Sequence, residues 1–364
     1  MSLLLKTAAR CLFAGFFTVL FYSQAEAQKV VSFQDTRVRA TGRIAYKGDH
    51  SVLYYSGTSL EVNFTGTSVK ATLKDERGEN YFDVIVDGKT VVLHPDTVKR
   101  LYTLASGLSA GNHTLQLYKR TEWSDGNTAF YNFQFDNEAS ILAPPAVKTR
   151  SIEFYGNSIT AGYAIEDFSG RDSYLSRYKN NYITYAALTA RHYNAQWSFI
   201  AKSGIGVVVG YYPLNMPEVY DRLDPMDANS QWDFSKYTPQ VVVVNLFQND
   251  AGVIQSGSGP LFEARFGHTP PTEDFIINAY KNFIKDLRGK YPNANIICAL
   301  GSMSACKPGS VWPVYIQKAV AQLNDKNIYS FIFTYKGTPG HPNIKEHQAM
   351  ADELIAFIDK TVKW

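Results

Sequence analysis

Cysteine is scarce: the 364 residues hold three, Cys11, Cys298 and Cys306. There is no Cys-x-x-Cys and no His-Glu-x-x-His, and the seven histidines are scattered, so the sequence offers no metal site of the common zinc types. His341 and His347 are not at a common helical zinc spacing. No basic run occurs, and 36 Lys+Arg against 33 Asp+Glu leave a net charge of +3, which argues against a nucleic-acid partner. Internal repeats and low-complexity tracts are lacking. So is an apolar run approaching the ~20 residues of an ordinary membrane span. What is present is ample apolar material (45% hydrophobic, 19% charged), enough for a full core. Aromatics reach 14%, a usage that suits strand packing first and sugar-facing clefts second. At roughly 100–200 residues per domain, the length suggests two domains.

The N-terminus has the order of a secretory signal peptide. Lys6 and Arg10 precede a short apolar run at 11–22, and Ala25-Glu26-Ala27 supplies a small-x-small cleavage pattern. Cleavage is expected after Ala27, giving a secreted or periplasmic chain with no membrane attachment. An oxidising compartment permits a Cys298–Cys306 disulfide, and the sequence leaves open whether it forms.

Two rhythms follow. Residues 28–143 carry short β-rich runs at Val52–Tyr55, Leu60–Phe64, Val69–Leu73, Phe82–Val86, Thr90–Leu93, His113–Lys119 and Phe130–Asp136. Turn signals separate them, and Asp87-Gly88 is a strong two-residue hairpin signal. This predicts a β-sandwich of jelly-roll type. Pro144-Pro145 breaks the chain in a linker over 144–150. From 151 to 364, apolar runs at Ser151–Tyr155, Gln196–Ala201, Val241–Phe247, Asn295–Leu300 and Ile328–Thr334 alternate with helical periodicity. The stripe Ile276, Ala279, Tyr280, Phe283, Leu287 is one such helix. Five buried strands alternating with helices predict a parallel α/β/α sandwich whose site lies at the carboxyl ends of the strands.

Chemically suggestive residues fall at those ends. Gly156-Asn157-Ser158-Ile159 follows the first strand; its serine is either an exposed hydroxyl or a helix cap. Lys202-Ser203-Gly204 follows the second, as a donor loop or an ordinary turn. Gln248-Asn249-Asp250 follows the third, as an amide donor or an Asx turn. Gly340-His341-Pro342 follows the last, as a general base or a surface histidine.

Taken jointly, Ser, Gly, Asn and His in this order resemble the SGNH (GDSL-type) hydrolase superfamily. The resemblance implies Ser158 as nucleophile, Ser158, Gly204 and Asn249 as the oxyanion hole and His341 as base, with His347 supportive only. The front half, with Phe64-Thr65-Gly66-Thr67, Val86-Asp87-Gly88, Gly111-Asn112-His113-Thr114 and Lys119-Arg120-Thr121-Glu122, is similar to the sandwich of carbohydrate esterase family 2. Such proteins remove acetyl groups from plant-wall polysaccharides such as xylan and mannan, with no cofactor. An acetylated polysaccharide or oligosaccharide is therefore the expected partner. Three departures stand out: Asn157 replaces the Asp of GDSI, Phe247 the Gly of G-x-N-D, and Thr338 the acid of D-x-x-H. The last predicts a Ser–His dyad, with a backbone carbonyl in Lys336–Pro339 accepting the His341 Nδ1 hydrogen. Trp312, Tyr211, Tyr212 and Phe266 are candidate sugar contacts, and the long aperiodic stretch 205–240 is a candidate substrate loop. Glu122 and Trp123 are candidates to face the second domain. The competing functions are a non-catalytic glycan binder on the same scaffold, or an esterase for methyl, feruloyl or lipid esters.

Overall fold

Alternation of inward and outward side chains builds the front half. In the computed structural model, which describes residues 29–364, strand Ser59–Thr65 buries Leu60, Val62 and Phe64, and Asn112–Lys119 buries Leu115 and Leu117 opposite them. The proposed signal peptide lies outside the described residues. One sheet runs Arg39–Thr41, Ser59–Thr65, Asn112–Lys119, Phe82–Val86, Lys89–Leu93; the other runs Ile44–Lys47, His50–Leu53, Thr128–Phe135, Val69–Asp75, Arg100–Ala105, with Lys29–Ser32 also on Thr128–Phe135. The two enclose one core that includes Phe64, Leu73, Phe82, Phe130 and Phe133. The Asp87-Gly88 hairpin forms with both residues at positive φ (49° and 79°), as a primed turn requires. Strands at Lys29–Ser32, Arg39–Thr41, Ile44–Lys47 and Arg100–Ala105 were not anticipated. They are short or bury little, and their apolar alternation is correspondingly weak.

The back half is a five-stranded parallel sheet, ordered Ala195–Ala201, Arg150–Gly156, Val241–Asn245, Asn295–Leu300, Ile328–Ile332. Val241–Asn245 is buried throughout because helices cover both faces. Glu273–Lys290 and Trp312–Leu323 pack on one side, Tyr185–His192 and Ile344–Thr361 on the other. Strand Arg150–Gly156 has its chain successor on one side and the next strand on the other. It therefore marks the point where winding reverses and a crevice opens at the strand ends. Among the described residues, no helix is long and apolar enough to cross a membrane. Cys298 and Cys306 are buried and unpaired, and burial pushes their thiols up to about 12 and about 11.

The halves are locked by buried polar contacts. Arg43, 1% exposed, pairs with Glu153 of the first parallel strand at 3.2 Å and donates to the carbonyls of Tyr220 (2.6 Å) and Arg222 (3.0 Å). Glu153 also accepts from Tyr155, Ser198 and Tyr291 hydroxyls at 2.5–2.9 Å. Such a charge pair tolerates burial because all its other polar atoms are matched except Arg43 Nε. Trp197 Nε1 donates to the Gly57 carbonyl at 2.9 Å.

Candidate active site

The first parallel strand ends at Gly156, where a Cβ would sit 2.0 Å from Thr160 Oγ1; only glycine fits there. Asn157 then caps the short helix Ser158–Ala161, its side-chain oxygen accepting from Ile159 N at 3.1 Å. The capping role therefore belongs to Asn157, which leaves the Ser158 hydroxyl free for another partner. That partner is His341: Nε2 lies 2.8 Å from Ser158 Oγ across 183 positions of sequence. Ser158 is 6% exposed, and the ring of Tyr163 lies 4.5 Å from that of His341.

The other face of His341 corrects the expectation of a backbone acceptor. Asp172 Oδ1 and Oδ2 lie 2.9 and 2.8 Å from His341 Nδ1, and Oδ1 also accepts from the His341 backbone N–H at 3.1 Å. The carbonyls of Thr338 and Pro339 are instead bound by Lys336 Nζ at 2.9 and 3.1 Å, and Thr338 Oγ1 bonds Glu346. The acid absent at position 338 is thus supplied from the other end of the domain. Asp172 sits in the left-handed region (φ 59°) on a loop knotted by Asp167, which accepts from Ser169 N (3.0 Å) and Ser173 N (2.8 Å). Gly340 (φ 70°) makes room, since a Cβ there would lie 3.3 Å from Asp172 Cγ. Partial burial pushes the Asp172 carboxyl up, but the bonds from His341 and its charge outweigh this and hold it below the usual carboxylate range. With Asp172 accepting at Nδ1, the neutral imidazole keeps its lone pair on Nε2, toward the serine.

Gly204 and Asn249 line the same cavity of about 420 Å³ with Ser158, Tyr163, Tyr211 and His341. Gly204 has φ 84°, and its carbonyl accepts from Tyr211 N at 2.7 Å. Asn249 donates one amide hydrogen to Ile205 O at 2.7 Å, which fixes its plane and leaves a second N–H. Asp250 binds the N–H groups of Val207 (3.0 Å), Val208 (2.6 Å) and Val209 (3.2 Å) beyond Gly204, and burial pushes its carboxyl up to about 6 against their pull. Phe247, in the glycine's place, still adopts φ 83°, with its buried ring against Tyr280 (4.6 Å) and Trp312 (5.1 Å). The left-handed turn before Asn249 therefore survives the substitution.

The sandwich reaches the site through Glu122. Its Oε2 accepts from Ser203 N at 2.5 Å, directly before Gly204, while Lys179 lies at 3.0 Å and Lys202 at 3.8 Å from the carboxylate. Burial alone pushes this carboxyl up, yet the two ammonium groups and the Ser203 N–H hold it far below its ordinary value.

Of the candidate sugar contacts, Tyr211 lines the cavity and is 63% exposed. Trp312 does not: it is 2% exposed, on the inner face of helix Trp312–Leu323 with Ile316 and Ala319. Phe266 packs on Phe262 and Phe275, away from the cavity. Tyr212 lies under Lys202 and edge-on to Trp123, lining a separate cavity at the domain junction. His347 is fully buried, its Nδ1 accepting from Tyr185 N at 3.1 Å. Asp172 and Tyr163 escaped the sequence reading. The available signal was the aperiodic polar stretch 163–183, another loop too long to be idle.

A serine at a strand-to-helix turn, a histidine poised by a carboxylate, and N–H donors beside them define a GDSL-type acylhydrolase. Comparison with known proteins agrees. The profile of the carbohydrate esterase 2 N-terminal domain matches residues 40–145, and that of the GDSL-like lipase/acylhydrolase family matches 154–328. A family two carbohydrate esterase from Clostridium thermocellum, solved with cellohexaose, superposes with a TM-score of 0.79 at 35% identity over 89% of this chain and 98% of that one. The cellulase/esterase CelE of Acetivibrio thermocellus is 38% identical over 85% of this chain, which spans 38% of its length. An acetylxylan esterase/glucomannan deacetylase of Cellvibrio japonicus is 29% identical over 83% of both chains. The chain belongs to the family 2 carbohydrate esterases.

Proposed function

We propose that this chain is an exported serine esterase that removes O-acetyl groups from plant-wall polysaccharides or their oligosaccharides, of the xylan or mannan type. The observation that carries the reading is the Ser158 Oγ–His341 Nε2 approach of 2.8 Å, with Asp172 on Nδ1. Ser158 Oγ attacks the acetyl carbonyl as His341 Nε2 takes its proton. The oxyanion is received by the N–H groups of Ser158 and Gly204 and the free amide hydrogen of Asn249. His341 returns the proton to the departing sugar hydroxyl, then deprotonates a water that releases acetate. Asp172 fixes the tautomer and offsets the imidazolium charge in both steps, so the mechanism is a triad rather than a dyad. The relatives' printed activities support the acetyl ester, and the N-terminal pattern at 1–27 supports export.

The competing reading as a non-catalytic glycan binder rested on Thr338 and Phe247. Asp172 and the φ of Phe247 answer both. The test is acetate release from acetylated xylan, glucomannan and pectin. The wild type is expected to act on at least one of the first two and Ser158→Ala on none. Equal release by both proteins, or none by the wild type, contradicts the reading.

A further inference from the structure

Beside the catalytic cavity lies a second one, of about 430 Å³, walled by the sandwich on one side and the Asp172 loop on the other. The two cavities share Tyr163 and Ser203 and so adjoin at the domain junction. Its size falls in the ordinary range of small-ligand sites, ~300–1,000 Å³. The mechanism uses none of its aromatic groups.

Tyr81 and His94, from the two ends of the Phe82–Leu93 hairpin, stack with ring centroids 4.2 Å apart and planes 2° from parallel. His94 Nε2 donates to the Gly78 carbonyl at 2.8 Å, which pins the ring and leaves a flat exposed face. Tyr174, 75% exposed, lines the same cavity from the loop that carries Asp172. The wall holds equal numbers of acidic and basic side chains, and the deepest of them neutralise one another: Lys179 bonds Glu122 at 3.0 Å and Asp125 at 2.6 Å. Flat aromatic faces above a charge-balanced, hydrogen-bonding floor suit a neutral pyranose ring, which has an apolar face and a rim of hydroxyls. They suit an anionic ligand poorly, because the buried cations Lys179 and Lys202 already face Glu122, and exposed Arg177 at the rim is the one lining cation with no carboxylate partner among the described residues.

We propose that this cavity is a saccharide subsite that holds unacetylated sugar units flanking the one being deacetylated, with His94 (braced by Tyr81) and Tyr174 as its platform. The proposal rests on the esterase reading and adds where the polymer runs: from Ser158 past Tyr163 onto the sandwich.

Binding of xylohexaose, mannohexaose and cellohexaose, followed by calorimetry, tests it. The wild type is expected to bind at least one of them. His94→Ala and Tyr174→Ala should each weaken that binding by about tenfold, while His94→Phe, which keeps a flat ring, stays within about threefold. Both side chains are exposed, so their truncation removes no core. Unchanged affinity in both alanine variants, absence of binding by the wild type, or tighter binding of a glucuronate-bearing xylo-oligosaccharide would overturn the subsite. Ser158-dependent acetate release by the same wild-type preparation separates the two ideas. If release persists while the platform variants bind normally, only the subsite fails; if release is absent, the esterase reading fails.

Discussion

Two carboxylates reach the catalytic residues from opposite regions of the molecule, and they are built differently. Asp172 comes from a polar loop of the hydrolase half, keeps a third of its side chain in solvent, and touches only His341 among the reacting groups. Glu122 comes from the sandwich, is 1% exposed, and touches no reacting group; it holds the Ser203 N–H and two lysines. In the proposed mechanism the first stabilises charge that appears during reaction, and the second fixes the backbone that donates to the oxyanion. The contrast shows why the sandwich is more than a neighbour: one of its side chains sets the position of the loop containing Gly204.

Substitutions can break this contrast. Asp172→Asn should lower kcat by about 10³–10⁴-fold with little change in stability, since an amide at this position favours the wrong imidazole tautomer. Because its folded carboxyl titrates below the usual ~3.9, the contact is intact above that range and fails only as pH falls through it. Glu122→Gln should behave oppositely. It should cost about 3 kcal/mol in urea unfolding, as buried Lys179 and Lys202 lose a counter-charge. It should lower kcat by roughly tenfold to a hundredfold with KM within about twofold. A loss in KM alone would mean that Glu122 does not position the oxyanion loop.

Phe247→Gly sharpens the point within the hydrolase half. Relief of the positive φ recovers about 1 kcal/mol, and the lost ring costs about 3–5. A net destabilisation of roughly 2–4 kcal/mol is expected in thermal or urea melts, and a stabilised variant would contradict the packing role.

The effect that is smallest near neutral pH, and grows only in acid, concerns the two histidines of the last helix region. His341 is partly exposed and chemically placed; His347 is buried, and desolvation pushes it down to about 3. Unfolded, it titrates near the ordinary ~6.5. Between those values the unfolded chain binds more protons, so stability is lost as pH falls from about 6.5 toward 3, by up to ~1.4 kcal/mol per pH unit. His347→Gln should remove this slope. Parallel stability–pH curves for variant and wild type would refute the assignment.

Much of the candidate site was readable because each residue follows an apolar strand of the parallel sheet. Ser158, Gly204, Asn249 and His341 sit at the ends of four apolar runs, and a parallel sheet gathers such ends. Asp172 was not readable, because no periodicity fixes its loop and its partner lies 169 positions away. Trp312 was misplaced as a cleft residue although Ile316 and Ala319, at i+4 and i+7, mark the buried stripe of a helix. Phe262 and Phe266 carry the same i, i+4 signal. The sandwich was legible where alternation was strong, as in Ser59–Thr65, and silent for Arg100–Ala105, where only Leu104 is buried.

The claim at the centre is that Asp172 stands in for the acid missing at Thr338. Low-field proton NMR of the His341 Nδ1 hydrogen tests it directly. A strongly deshielded resonance is predicted in the wild type and in Thr338→Ala, and its disappearance in Asp172→Asn. Persistence of the signal in Asp172→Asn, or its loss in Thr338→Ala, would contradict the account.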